Sequence, residues 1–588
     1  MPSKNDFGRI PVTVVQIDQD LCCLDWKATN ACGTCNSVEA TECYNTFATC
    51  QSTADYDLLD PLTLSFAKPQ SDLPDEVYII PSITKVSTSP GRINVGGRAG
   101  KDKPLGRRAE ITVSFKDHPH SDNFTDPYVA NRSYDPLTLG TFWGKWLKRN
   151  PFYQGRALRL YEGYYGQTLA EMRVRHYVID RITPPDSKGN VTLKAQDVFN
   201  LADDKKAQAP VLSTGRLQAS ISASDTSFVV TGGTATHYNG YPTNIIKIGD
   251  ELIRYTTLTA EAGGNLILSG LTRGSDSTPA SEHDIDDTVQ ACLEYVAERP
   301  DHVAYDLLTV YGNVSAAQID LAGWTAEADV WLNTYEVTRI ISEPTGVTTL
   351  LGTLCEQSLM YLWWDEYANL VRLKVIRPPT GTVPLYTEEG NFLQNSISIK
   401  EEESLRATEI WVSYIPINPL TAKEQKDFKR TNALIDPVAE SSFAYGERKV
   451  YRVPAAWLQS SAMVGQLTAR LLSRYVSTPL FIKFSLDAKD NDLLMGDVFD
   501  ISYSGFVDET GAIEIVRYQV ISSHEVDGSV VQYEAQKFDY GTSTRIGYWM
   551  SNTAPNYSAA TEAERETGCF WGEADGTMPG GDPGYEYI

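Results

Sequence analysis

The sequence predicts a mainly β protein with α+β modules, divided among several domains. Most of its 588 residues form short runs of alternating apolar and polar side chains, separated by Gly, Pro, Asp and Asn, as in antiparallel sheets. Only a few stretches repeat apolar residues at helical spacing. One hydrophobic core rarely organises a chain this long. We place the predicted segments at residues 1–75, 76–208, 209–298, 299–394, 395–540 and 541–588.

The first segment contains a cluster of cysteines that predicts a site using sulfur. Residues 16–51 hold six of the nine cysteines of the chain: Cys22, Cys23, Cys32, Cys35, Cys43 and Cys50. A disulfide framework suits small secreted domains. We consider it the weakest interpretation, because the opening residues MPSKNDFGRIPVTVV lack the apolar core of a secretion signal.

Two metal sites remain as interpretations of this cluster. Cys32 and Cys35 form the C-x-x-C pair of a zinc knuckle, but a second close pair is missing. An iron–sulfur cluster held by four thiolates accepts looser spacing. Residue spacing alone leaves zinc and iron–sulfur equally open.

The cysteine segment resembles that of tail-tip hub proteins of long-tailed phages and gene transfer agents. The resemblance rests on Asp20-Leu21-Cys22, on Cys32 ten residues later, and on the block CYNTFATCQ at residues 43–51. It implies a [4Fe–4S] cluster, with zinc as the alternative, and the implied ligands are Cys22, Cys32, Cys43 and Cys50. Two cysteines exceed the family pattern: Cys35 is an alternate for Cys32, and Cys23 for Cys22. Otherwise each is a small buried thiol.

Residues 76–208 predict a first β domain with one helix. An apolar stripe predicts the helix within residues 134–151, beginning near Gly140-Thr141, and formed by Phe142, Trp143, Trp146 and Leu147. The string KDHPHSD at residues 116–122 groups two histidines with two aspartates. Since Pro119 forces an extended turn, we interpret it as a solvated loop and not as a metal or acid–base site. The glycine-rich residues 91–97 lack the order of a P-loop or dinucleotide motif.

Residues 209–298 predict a small all-β insertion. Its strings IGDELIRY and LTRG resemble a module that recurs in phage tail proteins. His283 follows no nucleophile motif, so we interpret it as structural or exposed.

Residues 299–394 predict helices at 304–311 and 347–361, followed by a hairpin with its turn at 365–369. This helix and hairpin resemble the core module of phage hubs. Cys355 is expected in the helix core, and Asp365 and Glu366 are explained by turn chemistry.

Residues 395–540 predict a second β domain with a helix at 455–475, for which Pro454 would occupy the first position. Residues 541–588 are rich in Gly, Pro, Ser and Thr and predict no core of their own. They form either a flexible end or an arm that a partner orders.

The net charge of −25 argues against tight or sequence-specific binding of nucleic acid, which needs clustered Lys and Arg. This charge either keeps the protein soluble or forms an acidic wall along which DNA slides. No apolar run reaches the roughly 18 residues of a membrane span. No assembled catalytic motif is present, so the sequence predicts a non-enzymatic protein.

The resemblance implies a structural hub of a siphophage tail tip, made in the host cytoplasm and carried in the virion. It implies a homotrimer that joins the distal tail protein ring to a fibre or spike and gates DNA ejection, with the tape measure protein as a further candidate partner. The alternative function is a metal- or iron–sulfur-containing hydrolase of the host cell wall.

Overall fold

The structure is a computed structural model in which sheets dominate and helices are few, which confirms the predicted fold class. It describes residues 10–22, 43–58, 61–70, 73–95, 105–203, 206–261, 264–377, 379, 382–490, 492–526, 530–538, 548–549, 555–570 and 578–579. Across these ranges, no helix combines the length and the apolar character needed to cross a membrane.

The first β unit is built on one eight-stranded sheet. Its elements, with the short strand that follows, are β1 (Pro11–Gln19), β2 (Leu62–Ala67), β3 (Ile79–Ile80), β4 (Ile83–Ser89), β5 (Glu110–Lys116), α1 (Phe142–Arg149), β6 (Ala157–Tyr164), β7 (Arg173–Thr183), β8 (Asn190–Gln196) and β9 (Gln208–Ala209). The strand order is β3-β2-β1-β6-β7-β8-β5-β4. Because β1 and β2 belong to this sheet, the predicted boundary at residue 75 runs through a single unit.

Helix α1 closes one face of this sheet, as the apolar stripe predicts. Thr141 is its N-cap, and Gly140 before it has a φ of 75°, a backbone angle that glycine adopts without strain. The indole of Trp143 stacks on Phe66 with ring centroids 5.5 Å apart and also contacts Phe115. These aromatic contacts fix the helix against the alternating apolar residues of β2 and β5.

The insertion forms its own small core between two sheets. Its elements are β10 (Arg216–Leu217), β11 (Ser227–Thr231), α2 (Ala235–Asn239), β12 (Ile245–Ile248), β13 (Glu251–Arg254), β14 (Thr257–Ala260), β15 (Leu266–Ser269) and β16 (Gln290–Ala291). Strands β10, β11, β15 and β14 form one sheet, and β13, β12 and β16 form the other.

A central α+β unit follows. Its elements are β17 (Leu293–Glu298), α3 (Pro300–Asp306), a π-helical turn (Leu307–Tyr311), α4 (Leu321–Trp331), β18 (Val337–Ile341), β19 (Thr345–Gly346), α5 (Val347–Gln357), β20 (Met360–Asp365) and β21 (Leu370–Val375). Strand β19 pairs with β9, and β17 pairs with β18. The predicted hairpin is β20–β21, and Asn369 in its turn has a φ of 58°.

The last large region contains a three-stranded sheet and a six-stranded sheet. Its elements are β22 (Leu385–Thr387), β23 (Ser398–Glu401), β24 (Glu409–Pro416), β25 (Phe428–Ile435), α6 (Pro437–Glu440), β26 (Val450–Ala455), α7 (Ser461–Tyr475), β27 (Leu480–Asp487), β28 (Val498–Val507), β29 (Ile513–Val526) and β30 (Val530–Lys537). The three-stranded sheet has the order β25-β24-β26, and α7 packs against it. The six-stranded sheet, the second β unit, has the order β22-β28-β29-β30-β27-β23.

The two β units share a strand order. In the first, the six strands β1, β6, β7, β8, β5 and β4 lie side by side in that sequence. In the second, β22, β28, β29, β30, β27 and β23 occupy the same places in the same chain order. The first unit adds β2 and β3 at one edge. The end strands also differ, because β1 pairs antiparallel with β6 whereas β22 pairs parallel with β28.

Two predicted helices have different bounds in the structure. The helix predicted from residue 455 begins at Ser461, because Pro454 and Ala455 pair with β24 as part of β26. Strand β26 lies at a sheet edge, where proline is tolerated. The helix predicted to reach residue 361 ends at Gln357, since Leu359 has a φ of 57° and Met360 starts β20.

The C-terminal region contains β31 (Tyr548–Trp549), α8 (Glu562–Thr567) and β32 (Gly568–Cys569). Strands β31 and β32 pair in parallel. Tyr557 and Met578 are buried, so at these positions the region packs against protein, although its composition predicts no core of its own.

Candidate metal centre

Three of the predicted ligands lie at one corner of the first β unit. Cys22 follows β1, is buried, and forms an isolated β-bridge with Leu58. Its amide donates to the carbonyl oxygen of Asn45 over 2.7 Å, which places it beside the turn that starts at the buried Cys43. Cys50 ends this turn and is half-buried. The fourth predicted ligand, Cys32, and the alternates Cys23 and Cys35 lie outside the described residues.

Local hydrogen bonds shape the turn from Cys43 to Cys50. Asn45 has a φ of 55°, a left-handed angle that asparagine adopts more readily than most residues. The Asn45 amide donates to the Cys43 sulfur over 3.4 Å, while the Tyr44 amide donates to the Thr49 hydroxyl over 3.1 Å. An amide directed at sulfur is a contact that stabilises a thiolate ligand.

Two arginines, each paired with an aspartate, contact the Tyr44 ring of this turn. The guanidinium groups of Arg132 and Arg149 lie 3.9 Å and 4.0 Å from the ring centroid of Tyr44. Asp126 accepts from Arg132 over 2.7 Å, and Asp122 accepts from Arg149 over 2.7 Å. Each arginine is therefore held by a carboxylate while it contacts the tyrosine face.

Two further contacts tie the turn to residues 126–132. Arg132 donates to the carbonyl oxygen of Cys43 over 2.6 Å. The Tyr128 hydroxyl donates to the Asn45 side-chain oxygen over 2.7 Å. The position of the cysteine block is thus set by residues more than 80 positions away in the sequence.

The interpretation of residues 116–122 as a solvated loop is wrong, because His120 and Asp122 are buried at 6% and 1% exposure. Lys145 and Arg149 of α1 approach the Asp122 carboxylate to 2.8 Å and 2.7 Å. Burial alone would raise the pKa of Asp122, but hydrogen bonds from His120, Lys145 and Arg149 hold it well below its usual range. The loop anchors Arg149, and so supports the cysteine turn.

Tyr56 adds an unsatisfied polar group at the same corner. Its hydroxyl oxygen is inaccessible to solvent and has no hydrogen-bond partner within the described ranges. Burial, then the charges of Asp20, Cys22 and Cys50, raise the pKa of Tyr56 to about 12, whereas Arg156 opposes them.

The described residues alone do not complete a metal site. Among them, no group of three or more His, Cys, Asp or Glu side chains is close enough to hold a metal ion. The Asn45 amide that donates to the Cys43 sulfur nevertheless fits an anionic sulfur group at this corner.

The other sequence candidates have structural roles. The Nε2 atom of the buried His283 lies 2.8 Å from the Glu251 carboxylate, which also pairs with Arg273 over 2.8 Å. This confirms a structural role for His283. Cys355 is buried in the core around α5, as expected, and burial raises the pKa of its thiol to about 12.

The turn carboxylates Asp365 and Glu366 have different roles. Asp365 accepts from the amide of Ala368 over 3.0 Å, which is turn chemistry as predicted. Glu366 instead points to Arg175 of β7 at 3.5 Å, in a contact that no local sequence signal indicates. The same guanidinium approaches Glu162 of β6 to 2.7 Å.

This charge junction continues to the second β unit. Arg173 of β7 pairs with Glu525 of β29 over 2.7 Å, and Tyr367 donates to the same carboxylate over 3.2 Å. Acidic side chains from β6, from the β20–β21 turn and from β29 thus surround Arg173 and Arg175. Burial raises the pKa of Glu162 to about 7, although Arg175 opposes the rise.

Comparisons with known proteins give similarity only to solved structures, since no family model and no curated protein matches. A tail protein from Neisseria meningitidis is 10% identical over 77% of this chain and 96% of its own, with a TM-score of 0.36. The 43 kDa tail protein of prophage MuSo2 from Shewanella oneidensis is 9% identical over 78% and 98%, with a TM-score of 0.34. A chain of a native gene transfer agent virion is 12% identical over 56% and 85%, with a TM-score of 0.32.

Proposed function

We propose that this protein is a non-enzymatic hub of a phage tail tip, in which three copies surround the tail axis. The observation that carries the proposal is the shared strand order of the two β units within one chain. Three copies arranged by a threefold axis would place six topologically equivalent units in a ring. Such a ring matches the hexameric distal tail protein that family hubs contact.

Direct contacts between the two β units support a fixed ring. The amide of Ile93, beyond β4, donates to the carbonyl oxygen of Ile521 in β29 over 2.9 Å. The Ser522 hydroxyl donates to the carbonyl oxygen of Gly91 over 2.6 Å. Two units joined by these hydrogen bonds can transmit load as one body.

The hub would be made in the host cytoplasm and carried in the virion of a long-tailed phage. Its partners would be the distal tail protein ring above, a fibre or spike below, and the tape measure protein inside the tube. It would close the tube until receptor binding and then open for DNA. The net charge of −25 would keep DNA phosphates from adhering to the hub during passage.

Within this proposal, the cysteine site binds a [4Fe–4S] cluster, with zinc as the alternative metal. The ligands would be Cys22, Cys32, Cys43 and Cys50, with Cys35 and Cys23 as alternates. The bound cluster would supply iron–thiolate bonds that fix a loop with few apolar side chains. The Asn45 amide would stabilise the Cys43 thiolate, and Arg132 would hold its backbone.

Mass photometry and negative-stain images of the full chain test the hub. The expected result is a trimer with six lobes around an opening, which binds the purified distal tail ring of the same virion. A monomer that hydrolyses peptidoglycan would contradict the hub and favour the hydrolase. Anaerobic purification tests the metal separately, with about four irons per chain expected for a cubane cluster.

A further inference from the structure

One face of the second β unit carries an exposed aliphatic patch. The register of β22, β28 and β29 places four side chains on the face opposite the sheet core, with exposed fractions of 50–57%: Leu385, Val507, Ile513 and Ile515. An antiparallel sheet that meets water on one face normally places polar residues there. A contiguous exposed apolar patch of this kind is typical of a protein–protein interaction site.

Three of these residues lie on a hairpin arm that extends beyond the other strands. Strand β22 pairs with β28 only at residues 500–502, and β30 pairs with β29 only from Tyr518 onwards. Residues 503–515 therefore form a two-stranded arm. Its turn is fixed, since Asp508 accepts from the amide of Ala512 over 3.0 Å. The arm is thus a preformed surface that needs little ordering when it binds.

The surroundings of the patch are acidic. Residues 385–391 and 503–509 contain Glu388, Glu389, Asp508 and Glu509 but no Lys or Arg. Glu388 holds the arm, because its carboxylate accepts from the amide of Ser504 over 3.0 Å, whereas Glu389 and Glu509 are exposed. A partner surface that fits the arm must therefore combine basic side chains with groups that pack on isoleucine.

The first β unit presents such a surface on its own outer face, although the chain has a net charge of −25. The register of β4, β5, β8 and β7 brings four exposed cationic side chains to this basic face: Lys85, Lys116, Lys194 and Arg181. Between them lie Thr112, Ser114 and Thr192. Glu110 shares the face but lies at the other end of β5, where it accepts from Gln196 over 2.6 Å. Lysine stems and threonine methyl groups can pack on isoleucine while the charged ends meet carboxylates.

The arm and the basic face both lie away from the contact that joins the two units of one chain. That contact uses the Ile521 carbonyl of β29 and the Ile93 amide beyond β4. Ile513 precedes Ile521 by eight residues, or about 27 Å along an antiparallel strand. Lys85 is also eight residues from Ile93 and lies near the start of β4. The contact within the chain therefore leaves both surfaces available to neighbouring copies.

We propose that the arm of one copy docks on the basic face of the first β unit in the next copy. Because the two surfaces differ, the contact is head-to-tail, and such contacts generate a ring when the rotation between copies closes. This inference rests on the trimeric ring proposed above and identifies the surfaces that join its copies.

Charge reversal on each surface tests the docking. Glu389→Lys with Glu509→Lys reverses the arm, and Lys85→Glu with Lys194→Glu reverses the basic face. In mass photometry of the full chain at low salt, each double variant should need an at least about tenfold higher concentration than wild type to assemble. The chain with all four changes should regain trimers. Since the arm variant is less negative than wild type, weaker general repulsion between copies would produce the opposite effect.

A further variant tests the aliphatic patch. Ile513 is 57% exposed, so Ile513→Asp should weaken assembly while the thermal melting of the dissociated chain stays unchanged. The matched control is Ile285→Asp in the insertion, at a residue that is 56% exposed, and it should assemble as wild type does. Glu261→Lys with Glu282→Lys, at exposed positions of the insertion, is the control for charge reversal on the arm.

Three outcomes would overturn the inference and separate it from the proposed function. Trimers of equal affinity in wild type and in both reversed variants would overturn the docking and leave a ring joined through other surfaces. A wild-type chain that stays monomeric at every concentration would overturn the ring and the docking together. Equal weakening in the insertion controls would show that the effects are not specific to the arm and the basic face.

Discussion

Replacing Glu162 by glutamine tests the charge junction between the β units. The Glu162 side chain is only 15% exposed and lies 2.7 Å from Arg175. Burial raises its pKa from 4.5 to about 7, Glu525 and Glu366 add to the rise, and Arg175 opposes it. The folded protein then binds a proton that the unfolded chain has lost. The free energy of unfolding should therefore fall as pH rises from about 4.5 through about 7.

The size of the effect follows from the same pKa values. A rise from 4.5 to about 7 corresponds to about 3 kcal/mol of stability lost across this pH range. The glutamine variant stays neutral throughout, so it does not lose this stability. Its free energy of unfolding should therefore rise relative to that of wild type as pH rises. Asp197, whose pKa burial also raises to about 7, is present in both proteins and cancels in the difference.

Urea denaturation of both proteins, followed by tryptophan fluorescence at a series of pH values, measures this difference. The control is the exposed Glu514→Gln, which should track wild type at every pH. A difference between wild type and Glu162→Gln that does not change with pH would refute the reasoning. So would a wild-type protein that gains stability over the variant as pH rises.

Three further predictions concern single side chains. Arg132→Ala removes the donor to the Cys43 carbonyl and leaves the Asp126 carboxylate without its buried partner. Thermal melting should therefore show a loss of stability of about 3–5 kcal/mol, and the iron assay a lower iron content. Unchanged melting would contradict the role of Arg132 in holding the cysteine turn. Cys43→Ser should lose most of the iron, whereas Cys355→Ser should retain it, and equal iron in both would contradict the ligand assignment. Glu251→Ala should destabilise the insertion by about 3–5 kcal/mol in melts at neutral pH. Although burial opposes them, hydrogen bonds from Arg273 and His283 lower the pKa of Glu251 to about 2. The stability that Glu251 adds to the wild type should therefore persist above about pH 4.5 and disappear as pH falls towards about 2. A stability difference between wild type and Glu251→Ala that is the same at both ends of this range would contradict the prediction.

Elements with strong local signals were predictable from the sequence. The apolar stripe of α1 and the turn chemistry of the β20–β21 hairpin depend on residues within one or two turns of each other. Cys355 was predictable as a core thiol because its neighbours along α5 are apolar. The start of α7 was not predictable, because Ala455 has a high helix propensity and only pairing with β24 places it in a strand.

The candidate site was predictable only in part. The cysteine pattern identifies residues able to bind metal, but the spacing does not distinguish zinc from iron–sulfur. The contacts that hold the turn come from Tyr128, Arg132 and Arg149, and no local motif connects them with Cys43. Asp122 was misinterpreted for the same reason, since its partners Lys145 and Arg149 lie on a helix that follows more than 20 residues later.

The insertion enters and leaves the rest of the chain at one point. The Ser213 amide donates to the Gln290 side chain over 3.0 Å, and the Ala291 amide donates to the Ser213 hydroxyl over 3.0 Å. Gln290 also donates to the carbonyl oxygen of Val211 over 3.0 Å. Since the two ends are neighbours, another folded domain with adjacent termini can replace residues 214–289 without stretching the flanking strands. Residues 214–289 thus form a module that evolution or an engineer can exchange, while the rest of the chain keeps its connectivity.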